Sequence, residues 1–354
     1  MVCSTELVDY LHIIHYVGFF GAQFLNSVLV FLIVTRSEIL GDYRYAMLVF
    51  TFCSMLYSCI EIVVQPVAHM KGAMFMVFMH SHLFDMPKSI GRFLTCLHCV
   101  LSGFVASLLA CQFIYRYLAL CKTHMLAHLQ SKRLSLIFIP SLFVFTVWHL
   151  AFFDGMPYTL EKQLYIQEEL ATCFHVDSAS TPFVGSLYWV QGSDGEIEWK
   201  PMEVVASLSC CVTLVSQFES PLHLFFIRHQ MCCFFTILFC ASRIYSKMKE
   251  AKHHLSAKTL DVNRQLFRML SIQTVIPMIT MYTPVALFVI LPMFGKDIPY
   301  LGNLTSSSLA VYPFLEPIIA ITCVASFRKA VIGALHLSSS PSRHVFSVSR
   351  FSAT

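Results

Sequence analysis

Seven long apolar runs limit this chain more than any other feature of its sequence. A helix needs about 20 apolar residues to cross a bilayer core about 30 Å thick. Inside that core every backbone polar group must be satisfied within the segment, so runs of this length read as membrane helices. We place them at residues 11–35, 45–66, 92–120, 134–153, 202–247, 263–291 and 304–324. Only 12% of the residues are charged and 56% are hydrophobic, where a soluble domain carries about 25% charge. The expected fold is an all-α membrane protein: a seven-transmembrane helix bundle over residues 1–335, then a Ser-rich tail over 336–354. Met1 to Tyr10 holds Glu6 and Asp9 but no Lys or Arg, so the first run reads as a retained helix rather than a signal peptide.

Lys and Arg remain on the cytoplasmic side of a membrane protein. One set of loops, with the C-terminal tail, carries 17 of the 24 Lys and Arg, and the opposite set carries six, Arg228 standing apart within a run. The N-terminus is therefore expected outside and the C-terminus inside. The segment 154–201 then lies outside as a long loop between the fourth and fifth helices. Phe183 to Val190 is rich in strand formers and is followed by the turn signal Gly192-Ser193-Asp194-Gly195. Glu196 to Trp199 can return, which predicts a β-hairpin lid. Pro140 is expected to kink the fourth helix, and Val67 to Arg92 reads as a plain loop.

The third run carries the clearest chemistry. His98 precedes Arg116 by 18 residues, five helical turns, so the two share a face about 27 Å apart. One helix thus offers a polar group near one side of the membrane and a permanent cation near the other. Tyr115-Arg116-Tyr117 at the inner end is a candidate latch, because a guanidinium keeps its charge and offers five donors, which suits bonding neighbouring helices at rest and a partner's backbone carbonyls when the bundle opens. Glu61 lies within the second run, and an intramembrane carboxyl faces the bundle interior. It reads either as a helix-joining protonated group or as a ligand contact. Ser102 lies one turn inward of His98 on the same face. With Gln273, Tyr282 and Tyr312 these residues are the candidates for lining a ligand pocket between the helices. Asn303-Leu304-Thr305 is a glycosylation sequon on the outer side, and the serines after Leu337 are candidate phosphorylation sites.

The fifth region is anomalous. Residues 202–245 form an apolar stretch that as one helix would reach about 66 Å, twice what a membrane needs. Glu219-Ser220-Pro221 interrupts it, and Arg228 follows. Residues 215–230 read as an insertion rather than a working element: intron sequence left in the gene model, or else a loop displaced outside the membrane.

Several chemistries have no support. No catalytic constellation, phosphate-binding glycine loop or metal-ligand spacing appears, and no cofactor is implied. No Lys lies between Leu304 and Val324, which excludes a retinal Schiff base there. No basic-aromatic face suggests nucleic acid. Fourteen cysteines lie mostly within apolar runs, where Cys behaves as a small hydrophobe, and the other Phe, Met and Cys stripes face lipid or pack.

Leu40-Gly41-Asp42-Tyr43-Arg44-Tyr45, Ile60-Glu61 with Pro66 and His69, Tyr115-Arg116-Tyr117, Gln265 to Phe267 with Gln273 to Pro277 and Met281 to Pro284, and Tyr312 to Pro317 occur in one order. As a set they resemble the nematode seven-helix chemoreceptors of the Str class, which includes the diacetyl odorant receptor. The resemblance covers about residues 10–335. It implies a G-protein-coupled receptor for a small odorant-like molecule, working through a heterotrimeric G protein on the cilia of chemosensory neurons, with Tyr115-Arg116-Tyr117 as the G-protein-coupling site. Tyr115 stands where the wider superfamily has an acid before the Arg, so Arg116 lacks its usual partner. Glu316 stands where the family more often has Asp. The superfamily's third-helix cysteine would fall near Gly91, so a Cys96–Cys173 disulfide is not expected. The rival reading, a seven-helix ligand-gated channel subunit or a transporter, is opposed by the charge bias, since insect-type odorant channels have the reverse topology. A transporter should also show paired broken helices.

Overall fold

The computed structural model describes residues 5–36, 40–81, 83, 86–127, 134, 136–192, 194–211, 221–250, 256–298 and 300–339. Its helices are α1 Thr5–Thr35, α2 Tyr43–Val64, α3 Lys88–Cys121, α4 Thr123–Ala127, α5 Ile139–Gly155, α6 Leu160–Cys173, α7 Pro201–Cys211, α8 Pro221–Glu250, α9 Ala257–Pro277, α10 Thr283–Ile290, α11 Leu301–Cys323 and α12 Ala325–Ser339. The bundle comprises α1, α2, α3, α5, the pair α7 and α8, the run from α9 through α10, and α11. Among the described residues five segments are individually long and apolar enough to span a bilayer: Val8–Thr35, α2, α3, Ala257–Phe294 and α11.

Where the fold departs from expectation, local chemistry explains it. Pro140 starts α5 rather than bending it, since a proline in the first helical turn removes no needed donor. In the sixth span Pro277 closes α9, a π-helical turn runs over Met278–Tyr282, and Pro284 sits in the first turn of α10. The span begins at Ala257, earlier than residue 263, because the Ser256 side chain caps the Thr259 amide at 3.2 Å. Pro221 opens α8 in the overlong fifth region. Residues 212–220, and the side chains of 221–232, lie outside the described residues, and most of the suggested insertion falls there.

The outer face differs most. Val67 to Arg92 is not a plain loop: β1 Pro66–Lys71 and β2 Met74–Met79 form an antiparallel hairpin. Gly72 takes φ +51° at its tip, a left-handed conformation that favours glycine. Strand β3, Phe183–Leu187, pairs with β2 and not with the returning segment. The predicted hairpin is confined to β4 Trp189–Gln191 and β5 Ile197–Trp199. Side chains alternate between sheet faces. Met74, Met76, Phe78 and Phe183 pack on Ile166 and Leu170 of α6, while Ala68, Phe75 and Val184 face the bundle beside Tyr188 and Phe288. The sheet is a middle layer between α6 and the helices, buried on both sides, which is why Met74–Met79 carries no polar residue.

Helix α6 is polar and turns 82° from α5, and Thr159 caps it. It ties down the sheet through charges. Lys162 is 2% exposed; its Nζ is 2.6 Å from Glu203 Oε1 and donates to the carbonyls of Pro157 and Gly185, both at 3.0 Å. Glu169 meets His69 at 3.3 Å and Lys71 at 3.4 Å. Burial alone would raise the Glu169 pKa, but contact with His69 and the charges of His69 and Lys71 outweigh it and hold it below its ordinary 4.5. A carboxyl depressed in the folded state stabilises above its unfolded pKa and loses that contribution as pH falls through the folded value. The thermal midpoint of the purified protein should therefore drop as pH falls below 4.5, and Glu169→Gln should flatten that drop.

Cys96 is a free thiol and Cys173 is disulfide-bonded, so these two do not pair.

Candidate functional site

A cavity of about 560 Å³ lies in the outer half of the bundle under the sheet. Ala68, Phe75 and Val184 form its roof, and α3, α5, the sixth span and α11 form its walls. Three of the predicted pocket residues, His98, Ser102 and Tyr282, line it together. Their meeting follows from backbone contacts: the Tyr282 hydroxyl donates to the Ser102 carbonyl at 3.2 Å, and the Ser102 hydroxyl to the Cys99 carbonyl at 2.7 Å.

The other three candidates lie elsewhere. Glu61 sits behind His98, its Oε2 against His98 Nε2 and its Oε1 3.0 Å from His15 Nδ1. The Tyr57 hydroxyl is 3.2 Å from the same His98 nitrogen, and the two rings stack. Gln273 donates from Nε2 to Glu316 Oε1 at 2.8 Å, joining α9 to α11 in the buried core. Tyr312 borders a separate small void with Ser54 and Tyr57.

Sequence reasoning missed several wall residues. Trp148 lines the cavity and is admitted by Gly103, where an added Cβ would lie 2.3 Å from its ring. Thr305 and Ser306 also line it, and the Ser306 hydroxyl accepts the Ala68 amide at 3.0 Å, so α11 holds the roof. The available signals were Trp148 in an apolar helix and the run Thr305-Ser306-Ser307-Ser308. The wall hydroxyls of Ser102, Thr283 and Thr305 are spent on their own helix carbonyls. His98 Nδ1 is buried without a hydrogen-bond partner. The cavity is therefore apolar, with one imidazole as its prominent polar group.

At the inner end of α3 Arg116 is buried. Its guanidinium stacks 3.8 Å from the centre of the Tyr43 ring, and Nη1 donates to Asn263 Oδ1 at 3.4 Å. Tyr43 stacks on Tyr115 at 5.5 Å and donates to Gln112 at 2.6 Å. Tyr117 faces Phe239 of α8 at 5.8 Å. Arg116 thus has a tyrosine face and an amide as partners, which connect α2, α3 and α9. Asn303 lies half-buried in the first turn of α11, with the Thr305 hydroxyl on the Leu301 carbonyl at 2.8 Å.

The family model of serpentine-type seven-transmembrane G-protein-coupled chemoreceptors, Str, matches residues 11–332. The chain belongs to the Str family. Among curated relatives, serpentine receptor class r-10 of Caenorhabditis briggsae is 26% identical over 318 residues, covering 89% of this chain and 87% of that one. The C. elegans G-protein coupled receptor str-33 is 25% identical over 333 residues, covering 93% of this chain and 91% of its own. Squid rhodopsin superposes with a TM-score of 0.56 at 14% identity, covering 94% of this chain and 85% of that one, a likeness of fold. This Str chain is therefore a multi-pass membrane protein with the seven-helix receptor fold. The channel and transporter readings are not favoured.

Proposed function

We propose that this Str receptor is an olfactory-type sensor of a small, mostly apolar molecule bound in the cavity under the sheet. The observation that carries the reading is the cavity itself: about 560 Å³, within the 300–1,000 Å³ common for small-molecule sites, with His98 in its wall. A ligand bearing one polar group would meet His98 Nδ1 and leave the rest of its surface to Phe, Val and Leu side chains. Binding shifts α3 toward a state in which Arg116 leaves Tyr43 and Asn263 and meets a heterotrimeric G protein, provided the ligand prefers that state. Glu61 acts as the support that orients His98, while Gln273 and Tyr312 work deeper in the core. Asn303 accepts a glycan before α11 folds, and the serine tail, mostly outside the described residues, takes phosphates that end the response. Sensory cilia are the site of action that the family suggests.

Calcium imaging of cells expressing the receptor against a panel of volatile ketones, esters and alcohols tests the reading. Ser102→Phe fills the cavity from α3 and should weaken the response to any active compound by about tenfold or more, since overpacking costs about 1–3 kcal/mol. An undiminished response in this variant at equal surface level would remove the cavity as the ligand site.

A further inference from the structure

The outer end of α1 carries histidines that the ligand reading leaves unused. His12 Nε2 lies 2.9 Å from His80 Nδ1, just past the end of β2, and both side chains are half-buried. The two rings are 5.1 Å apart. One turn deeper on α1 is His15, fully buried, with its ring 6.4 Å from that of His12. His15 meets Glu61, Glu61 meets His98, and His98 lines the cavity. The order His80, His12, His15, Glu61, His98 runs from the outer rim to the ligand wall through groups that each carry or accept a proton.

We propose that the receptor has a second input, external protons, taken up at the His12–His80 pair and felt at His98 through the charges of His15 and Glu61. At 2.9 Å two imidazoles share one N–H···N proton. A first added proton makes one ring an imidazolium and keeps that bond; a second added proton leaves two donors and two positive charges facing each other, so the rings must part. Parting them separates α1 from β2 and hence from the sheet that roofs the cavity. Histidine is the side chain whose ordinary titration falls between pH 5 and 8. The form with parted rings binds more protons, so acid favours it. Glu61 is shared by two imidazoles, so a change of charge on His15 alters its hold on His98.

The described titratable groups around this line are few. Helix α2 supplies Glu61 and Tyr57, α3 supplies His98, and α1 itself supplies Asp9, Tyr10 and Tyr16. The outer half of α11, Leu301 to Leu309, packs along α1 and contains no charged residue. The cluster of His69, Lys71 and Glu169 joins β1 to α6 and is a separate device.

The signalling part of the proposal rests on the receptor reading above, so two measurements are needed. In cells without added odorant, lowering external pH from about 7.5 to 5.5 should raise G-protein activation about threefold. His12→Gln with His80→Gln should abolish the rise at equal surface level, and His69→Gln should leave it intact. A flat or falling wild-type response, or a rise that survives in the double variant, overturns the proposal. The second measurement needs no G protein: nitrogen-15 histidine NMR of the purified receptor in lipid nanodiscs. His12 and His80 should titrate in two steps more than about one pH unit apart, and the His15 and His98 signals should move with them. A single independent step, with His15 and His98 unmoved, rejects the proton input even where the receptor signals normally. The expected NMR result in a receptor that activates no G protein would keep the proton input and reject the signalling reading.

Discussion

Replacing Arg116 with alanine should abolish G-protein activation while leaving the receptor at the cell surface. The side chain is buried, and no acid is present to neutralise it among the described contacts. Its partners are the Tyr43 ring and the Asn263 oxygen, and two of its nitrogens, Nε and Nη2, have no hydrogen-bond partner. Those free donors suit a group that changes partners when the bundle opens. A hydrogen bond to a charged group contributes about 1.5–3 kcal/mol, so losing one to the G protein should lower coupling by roughly tenfold or more. Arg116→Lys should rescue little, because a point charge replaces a planar fork. Surface labelling beside a nucleotide-exchange assay decides the matter. If surface level falls together with signalling, Arg116 is a folding residue and the coupling role fails.

The largest loss of stability is expected at Lys162. Three oxygens converge on its Nζ: Glu203 Oε1 and the carbonyls of Pro157 and Gly185. Burial lowers the Lys162 pKa, and the charge of Glu203 works against that. The ammonium thus remains useful because its partner is fixed. Lys162→Met leaves Glu203 buried without a cation, which costs about 3–5 kcal/mol. The sheet would then lose its strap to α6 and α7, and with it the roof of the cavity. Surface expression and the thermal midpoint of the purified receptor should both fall sharply. Lys162→Met with Glu203→Leu should recover much of the loss, because removing both charges is often near neutral. Equal instability in the single and double variants would show that the carbonyl contacts, not the ion pair, hold the roof.

The spans were legible because a bilayer imposes one length and one hydrogen-bonding rule on any segment that crosses it. Orientation followed from the Lys and Arg count. The shared face of His98 and Arg116 followed from helical periodicity alone, and the structure places His98 in the cavity wall and Arg116 against Tyr43 and Asn263 at the opposite end. Glu61 stood out as an intramembrane carboxyl, and Gln273 and Tyr312 as polar groups within apolar runs, yet in the structure they meet neighbouring helices or border a separate void. Periodicity identifies an inward face but not the depth or direction at which a side chain meets its neighbours.

The outer layer was the hardest to read. Met74–Met79 shows no alternation of polar and apolar residues because both faces of its strand are covered, one by α6 and one by the bundle. Such a run cannot be told from other buried segments by pattern. The pairing of β2 with β3 spans about a hundred residues of chain, and nothing local in Phe183–Leu187 names its partner. The proximity of His12 to His80 and of Lys162 to Glu203 arises the same way, from segments that meet only when the sheet closes over the helices. The sequence by itself determined the membrane, the number of crossings, their direction and the two chemical ends of α3. The tertiary structure alone decided which polar groups meet, because those contacts depend on the packing of distant segments and on which surfaces are left to be covered.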